Sequence, residues 1–199
     1  MEQIVSSGII DSYFEKLKSN LSVDVAIVGG GPSGIVAAYF LAKAGKKVAL
    51  FDRKLAPGGG MWGGAMMFND IVVQEEAMPI IKELGVSYKE GANGTYIMDS
   101  VHTTSALIYQ ATKAGATIFN CYSVEDVVFH NDAVAGAVVH PAQQLDQLGV
   151  QAVDVGLEDG PLALGLDDGV HVPLGLLHHL LDAGGVDAAV QNQLLQSQP

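Results

Sequence analysis

The sequence predicts an α/β fold in which a parallel sheet binds a dinucleotide. Three observations predict it: apolar runs at residues 23–28 and 47–51, a helical segment at 33–44 between them, and glycines at the first turn. Continuous apolar runs are typical of strands buried on both faces, as in a parallel sheet. Strand, helix and strand together take about 30 residues, which is the length of a βαβ unit.

The remaining elements follow from periodicity and breakers. Residues 8–19 have the apolar spacing of an amphipathic helix. Ser100 or Thr103 is expected to cap a helix that Gly115 ends. The other predicted segments are a helix at 74–84 interrupted by Pro79, short strands at 86–89, 95–98 and 116–120, a hairpin of 124–129 with 134–139, and helices at 174–181 and 188–195. A strand followed by such a hairpin is a common crossover in two-dinucleotide-binding folds.

The first glycine cluster, GGGPSG, matches GxGxxG between the first strand and the helix. Gly29 permits the tight turn, Gly31 lets the backbone approach a pyrophosphate, and Gly34 lets helix and strand pack closely. The helix N-terminus, which includes Ser33, then offers N–H groups and a favourable dipole to the anion. Asp52 ends the second strand, 18 residues after Gly34, where a carboxylate can accept hydrogen bonds from an adenosine ribose. The combination predicts dinucleotide binding.

Two neighbouring features leave alternatives open. Arg53 and Lys54 follow the acid, and they either contact the ribose or phosphate edge or form a solvated strand end. The second cluster, GGGMWGG at 58–64, has more glycine than a simple loop needs. Close backbone approach to a ligand, or a mobile lid, explains such glycines. Met61 and Trp62 either cap that ligand or merely pack.

Composition restricts the class of protein. The net charge of −12 argues against nucleic-acid binding through a broad basic face. Neither a membrane-spanning apolar run nor a secretory signal is recognisable. The single cysteine, Cys121, excludes an internal disulfide framework and fits a reducing cytoplasm.

A compositional break divides the chain near residue 139. Residues 1–139 contain all 10 Lys and Arg and all 13 aromatic residues, whereas residues 140–199 contain neither. We therefore expect a dinucleotide-binding domain at 1–139 and an atypical, low-complexity C-terminal segment at 140–199 that is unlike a family domain or poorly ordered.

The sequence through residue 139 resembles the thiamine thiazole synthases, the Thi4 family, in its prokaryotic form. The resemblance lies in DVAIVGGGPSGIVAAYFLAKAGKKVALFDRK, in the more specific PGGGMWGGAMMFN and in DSVHTTSALIYQATKAGATIFNCYSVEDVVF. It implies a fold of the glutathione-reductase type and a reaction that consumes NAD as a substrate. In that reaction the ADP-ribose carbonyl condenses with glycine, and sulfur from sulfide or a protein cysteine completes an adenylated thiazole carboxylate.

The resemblance also implies site residues and partners. Matching positions make Ser33, Asp52, Arg53, Gly60 and Val124 nucleotide contacts. Fe(II) and a cytoplasmic homo-octamer are implied, and neither nucleic acid nor a membrane is.

The resemblance ends after GAVV, and motifs similar to DATGH and GPRMGP do not follow. The iron ligands and catalytic residues are therefore not found, and no catalytic residue or metal site is assigned. Two other interpretations stay open: an FAD-dependent oxidoreductase of the same fold, and a non-catalytic nucleotide-binding remnant.

Overall fold

A computed structural model of the 199-residue chain describes residues 1–141, 153–157 and 163–164. The α-helices in these residues are α1 (Glu2–Ser19), α2 (Pro32–Lys43), α3 (Met78–Glu83) and α4 (Ser100–Lys113). The strands are β1 (Ser22–Val23), β2 (Val25–Val28), β3 (Val48–Asp52), β4 (Asp70–Gln74), β5 (Lys89–Glu90), β6 (Thr95–Asp99), β7 (Thr117–Asn120), β8 (Tyr122–His130), β9 (Ala133–Pro141), β10 (Val153–Leu157) and β11 (Ala163–Leu164).

The central sheet is parallel and has the order β11-β2-β3-β7. Its middle strands and α2 form the predicted βαβ unit, and both faces of the sheet are buried. Ile27 and Leu50 belong to a core cluster that also contains α2 and α4 residues. Ala49 and Phe51 belong to a second cluster with Phe119. Alternate residues thus enter opposite cores, which explains the continuous apolar runs. The predicted α/β fold is confirmed.

The second sheet has the order β1-β10-β9-β8 and contains the predicted hairpin. Asn131 and Asp132 form its turn with φ angles of 49° and 61°, a conformation that Asn and Asp tolerate better than most residues. The strand predicted at 23–28 is split at Asp24, so that Val23 joins this sheet. Asp24 binds the backbone of Lys47 through its own N–H (2.9 Å) and its carboxylate (2.7 Å), which fixes the break.

A third, antiparallel sheet has the order β4-β6-β5. Strand β4 was not predicted, and the predicted helix at 74–84 is wrong in its first four residues. Residues Glu75–Ala77 form a 3₁₀ turn, and α3 begins only at Met78. Pro79 lies in the first turn of α3, where its missing N–H costs no hydrogen bond. The strand predicted at 86–89 is reduced to β5.

Helix α4 is capped by Asp99, not by the predicted Ser100 or Thr103. The Asp99 carboxylate accepts a hydrogen bond from the His102 N–H at 2.6 Å. The Ser100 and Thr103 side chains bond elsewhere, to the carbonyl oxygens of Trp62 and Asp99.

Beyond residue 141, the described strands β10 and β11 extend the second sheet and the parallel sheet. Neither was predicted. The helices predicted at 174–181 and 188–195 lie outside the described residues. Among the described helices, none has the length and apolar character required to cross a membrane.

Candidate functional site

The candidate site lies where the parallel strands end. Strands β2, β3 and β7 finish at Val28, Asp52 and Asn120, and the register pairs Asp52 with Asn120. Ligands of open α/β sheets bind outside the carboxyl ends of the strands. Both glycine clusters reach this edge.

The first glycine cluster joins β2 to α2 in the predicted way. Gly29 has φ 95° and donates its N–H to the Phe51 carbonyl at 2.8 Å. A Cβ at Gly34 would collide with the Gly29 carbonyl oxygen, so helix and strand approach as closely as the motif predicts. Gly31 is the N-cap of α2 and has no side-chain cap, and Ser33 is exposed in the first turn. The start of α2 therefore has no capping side chain in the place that an anion takes.

Asp52 is buried at the end of β3, with 2% of its surface exposed. One carboxylate oxygen accepts the Gly30 N–H at 2.8 Å, and the other accepts the Lys54 N–H at 2.7 Å. A carboxylate has about four acceptor positions, so these two bonds do not use all the acceptor capacity of Asp52. Asp52 thus also holds the first glycine turn in place.

The second glycine cluster packs directly on the first. The Gly58 N–H donates to the Gly30 carbonyl at 2.6 Å. Gly58 has φ 128°, and a Cβ there would meet Thr104 Cγ2 at 2.5 Å and Trp62 Nε1 at 2.7 Å. Both conformation and space therefore require glycine at this position.

Trp62 and Met61 pack against the protein in this structure, and contact of either side chain with a ligand stays a prediction. The Trp62 indole N–H donates to the Pro57 carbonyl at 2.8 Å, and the Trp62 carbonyl accepts the hydroxyl of buried Ser100 at 3.0 Å. Met61 packs on the core cluster that contains α2. These contacts tie the loop to the rest of the described structure at several points.

Gly60 differs from its neighbours because nothing in the described structure requires a glycine there. A Cβ at Gly60 would meet no atom within 4 Å, and its φ lies outside the left-handed range. The residue is exposed. Close approach of a ligand is a use of glycine that accounts for this position.

The segment that follows Asp52 is held by the end of β7. The Cys121 N–H donates to the Lys54 carbonyl at 3.2 Å, and the Asn120 amide donates to the Leu55 carbonyl at 2.8 Å. Arg53 and Lys54 are exposed in this segment. Val124 packs on the cluster that contains Phe51, beside an irregularity in the β8–β9 pairing.

The structure therefore brings Gly29, Gly31, Ser33, Gly34 and Asp52 to one edge of the sheet. Gly60 is connected to this edge because its glycine cluster is hydrogen-bonded to the first one. Arg53 is connected because it directly follows Asp52. Val124 is connected only through the core cluster that contains Phe51. Nucleotide contact by these eight residues stays a prediction.

The sequence did not reveal the supporting roles of three residues: Gly30, Ser100 and Thr104. Gly30 is buried against Asp52, and a Cβ there would collide with the carboxylate. A signal existed, since the chain has three consecutive glycines where GxGxxG requires only the first and third. Ser100 and Thr104 are fully buried behind the loop, and no local pattern indicated that.

The described residues do not provide the iron site that the resemblance implies. Within residues 1–141 and the two later strands, no group of three His, Cys, Asp or Glu side chains could hold a metal ion.

The family model described as "Thi4 family" matches residues 6–153. The thiamine thiazole synthase of Desulfosudis oleivorans is 54% identical over 139 residues, covering 70% of this chain and 54% of that protein. That of Thermococcus kodakarensis is 52% identical over 136 residues, covering 68% of this chain and 54% of that protein. The chain thus spans about half the length of these curated relatives.

Among solved structures, Thermovibrio ammonificans THI4 superimposes with a TM-score of 0.77 and 42% identity, over 94% of this chain and 72% of that chain. The L-proline dehydrogenase from P. horikoshii superimposes with a TM-score of 0.54 at 13% identity, over 72% of this chain and 52% of that chain. The latter similarity shows the fold alone.

Proposed function

Because the chain belongs to the Thi4 family, we propose that it contributes the dinucleotide-binding part of a thiamine thiazole synthase. The proposed reaction forms an adenylated thiazole carboxylate from NAD, glycine and sulfur, the latter from sulfide or a protein cysteine. NAD is the substrate in this proposal. The observation that carries it is the hydrogen bond from Gly58 to Gly30, which seats the family-specific glycine cluster on the general one.

The proposed binding mode follows from the edge of the sheet. The pyrophosphate lies on the uncapped start of α2, against Gly29, Gly31, Ser33 and Gly34. The adenosine ribose lies at Asp52, whose remaining acceptor positions take its hydroxyl groups.

The other end of the ligand is proposed to follow the second cluster. Gly60 offers open space to this end of the ligand. At the adenosine end, Arg53 is proposed to contact the ribose next to Asp52. Val124 is proposed to contact the nucleotide through its main chain. The fixed loop around Trp62 gives the ligand a rigid wall.

The residues that carry the chemistry are not assigned. The described part lacks a ligand set for the implied Fe(II), and no step is derived through that metal. We propose a functional division into a dinucleotide-binding part at 1–139 and an atypical part at 140–199. A cytoplasmic location, small-molecule partners and the octamer implied by the family belong to the same proposal.

Binding tests the proposal at the site. Purified protein is titrated with NAD and ADP-ribose by calorimetry, and ligand released from denatured protein is identified by mass spectrometry. We expect micromolar or tighter binding and a colourless protein that carries NAD, ADP-ribose or an adenylated thiazole. A yellow protein that releases FAD would support the flavoenzyme interpretation instead.

A matched pair of variants makes the binding test specific. Asp52→Asn places an amide donor against a backbone donor, and we expect about 10-fold weaker binding or worse. Glu76→Gln neutralises an exposed acid outside the site and should leave affinity unchanged. Incubation with NAD, glycine, sulfide and Fe(II) then tests turnover, and binding without product would identify a non-catalytic nucleotide-binding chain.

A further inference from the structure

The second glycine cluster, residues 58–64, has a composition that does not fix one conformation by itself. Five of its seven residues are glycine, and glycine loses more conformational freedom on ordering than any other residue. Such a loop keeps a single shape only if contacts from other parts of the chain hold it. The source of those contacts therefore determines how well the cluster can serve as a wall of the site.

Two hydrogen bonds to distant parts of the chain hold the cluster near its two ends. At the start, the Gly58 N–H donates to the Gly30 carbonyl at 2.6 Å. Near the end, the Ser100 hydroxyl donates to the Trp62 carbonyl at 3.0 Å, across 38 residues of sequence. The Asn69 amide approaches the same carbonyl at 3.4 Å, which is longer than the usual N–H···O range. Ser100 is thus the better placed of these two side-chain donors.

Ser100 also holds the chain where it returns from the cluster. Its N–H donates to the Asn69 carbonyl at 2.8 Å, and the Asn69 N–H donates to the Gly63 carbonyl at 3.1 Å. The side chain of Ser100 therefore binds the chain on one side of this loop, and its backbone binds the other side. Ser100 is fully buried, so its hydroxyl makes the bond to Trp62 without competition from solvent.

The other buried hydroxyls in the first turn of α4 point to their own helix. Thr103 donates to the Asp99 carbonyl at 2.6 Å, and Thr104 donates to the Ser100 carbonyl at 2.7 Å. Bonds of this kind, to the carbonyl four residues earlier, are a common choice of serine and threonine in helices. The Ser100 hydroxyl instead leaves the helix and reaches the glycine cluster. Its hydrogen bond therefore holds the cluster and does not stabilise α4 internally.

We propose that Ser100 is a positioning residue, which fixes the second glycine cluster so that the site prefers dinucleotide ligands to mononucleotides. The inference rests on the proposed function, in which the ligand beyond the pyrophosphate follows this cluster. AMP would occupy the Asp52 end without reaching the cluster, whereas ADP-ribose would reach it. Without the Ser100 hydroxyl the cluster samples further conformations, and apparent affinity falls with the fraction that is competent to bind. The loss should therefore fall on ADP-ribose.

Calorimetric titration of the full chain with AMP and ADP-ribose tests this preference. We expect the wild type to bind ADP-ribose more tightly than AMP. Ser100→Ala should raise the Kd of ADP-ribose about 5-fold or more and that of AMP less than about 2-fold. Thr103→Val is the matched control, because it removes an equally buried hydroxyl of the same helix turn, and the ratio of its two Kd values should equal that of the wild type. A purely structural role of Ser100 would lower stability, measured by urea unfolding, without changing this ratio.

Asn69→Gly provides a second variant at an exposed position. It removes the weaker donor to the Trp62 carbonyl, and glycine accepts the φ of 62° found there. We expect a smaller loss, about 2- to 3-fold, again for ADP-ribose alone. An equal loss of both ligands in Ser100→Ala, or wild-type ratios in both variants, would overturn the inference and leave binding at Asp52 intact. A wild type that binds neither ligand would overturn the proposed function and this inference with it.

Discussion

The carboxylate of Asp52 and the backbone of Gly30 are in direct contact: Oδ2 accepts the Gly30 N–H at 2.8 Å, and no Cβ fits on Gly30 beside it. The Gly30 carbonyl accepts the Gly58 N–H at 2.6 Å. One residue therefore joins the acid at the end of β3 to both glycine clusters. The middle glycine of GGG, which the dinucleotide motif leaves free, is fixed by the protein itself.

Gly30→Ala is predicted to weaken nucleotide binding and folding together. The added methyl group must displace the Asp52 carboxylate, which leaves backbone donors unpaired in a buried place, at a cost of about 1–3 kcal/mol. Urea unfolding and ADP-ribose calorimetry on the same preparation measure both effects. Wild-type stability with wild-type affinity would show that the Asp52–Gly30 contact is dispensable.

Gly60→Ala is predicted to weaken ligand binding without lowering the stability of the fold. A Cβ there meets nothing within 4 Å, so the free energy of unfolding should change by less than about 0.5 kcal/mol. If NAD lies against Gly60, its affinity should fall by about 10-fold, because the methyl group occupies the place of the ligand. Unchanged affinity would remove Gly60 from the proposed site.

Local patterns predicted the parts of the fold where one interaction dominates. The βαβ unit and its glycine turn follow from apolar runs and the absence of a Cβ, and the structure places Gly29, Gly34 and Asp52 as predicted. The hairpin follows from Asn131 and Asp132 between two apolar strands. Each of these patterns lies within a few consecutive residues, so it can be recognised without knowledge of tertiary contacts.

Tertiary contacts determine the elements that the sequence did not predict. Strand β4 exists because it pairs with β6, from Asp70 opposite Asp99 to Gln74 opposite Thr95. The sequence prediction assigned no element to residues 70–73 and began a helix at Gln74. Asp99 caps α4 while it also ends β6, and periodicity does not reveal such a shared position.

Trp62 is predicted to report ligand binding through its fluorescence. It is the single tryptophan of the chain, and its indole is bonded to Pro57 and packed on Gly58. ADP-ribose placed along the second cluster changes the polarity around this ring. We expect a saturable change in emission that matches calorimetric affinity in the wild type. The titration midpoint should shift to higher ligand concentration in Gly30→Ala, and an unchanged midpoint would contradict the link between the clusters.

The contact between α2 and α3 is predicted to make stability depend on pH through Glu83. Its carboxylate accepts the Tyr39 hydroxyl at 2.9 Å and pairs with Lys43. Burial acts to raise the pKa of Glu83, but the hydrogen bonds from Lys43 and Tyr39 outweigh it, and the pKa lies below its ordinary value. A lowered pKa in the folded state stabilises the protein above the unfolded pKa of about 4.3, and this stabilisation is lost as the pH falls through the folded value.

Glu83→Gln tests that dependence with almost no change in shape. At pH 7 the variant should lose less than about 1 kcal/mol of unfolding free energy, since the pair is partly exposed and screened by water. At about pH 3 the difference should shrink, because this lies below the unfolded pKa of about 4.3 and the advantage of a lowered folded pKa decreases there. Lys82→Gln, which removes a neighbouring exposed charge, serves as the control and should show no such pH-dependent difference. Urea unfolding of all three proteins at both pH values gives the comparison, and a Glu83→Gln effect of equal size at pH 7 and pH 3 would show that shape, not charge, holds α2 to α3.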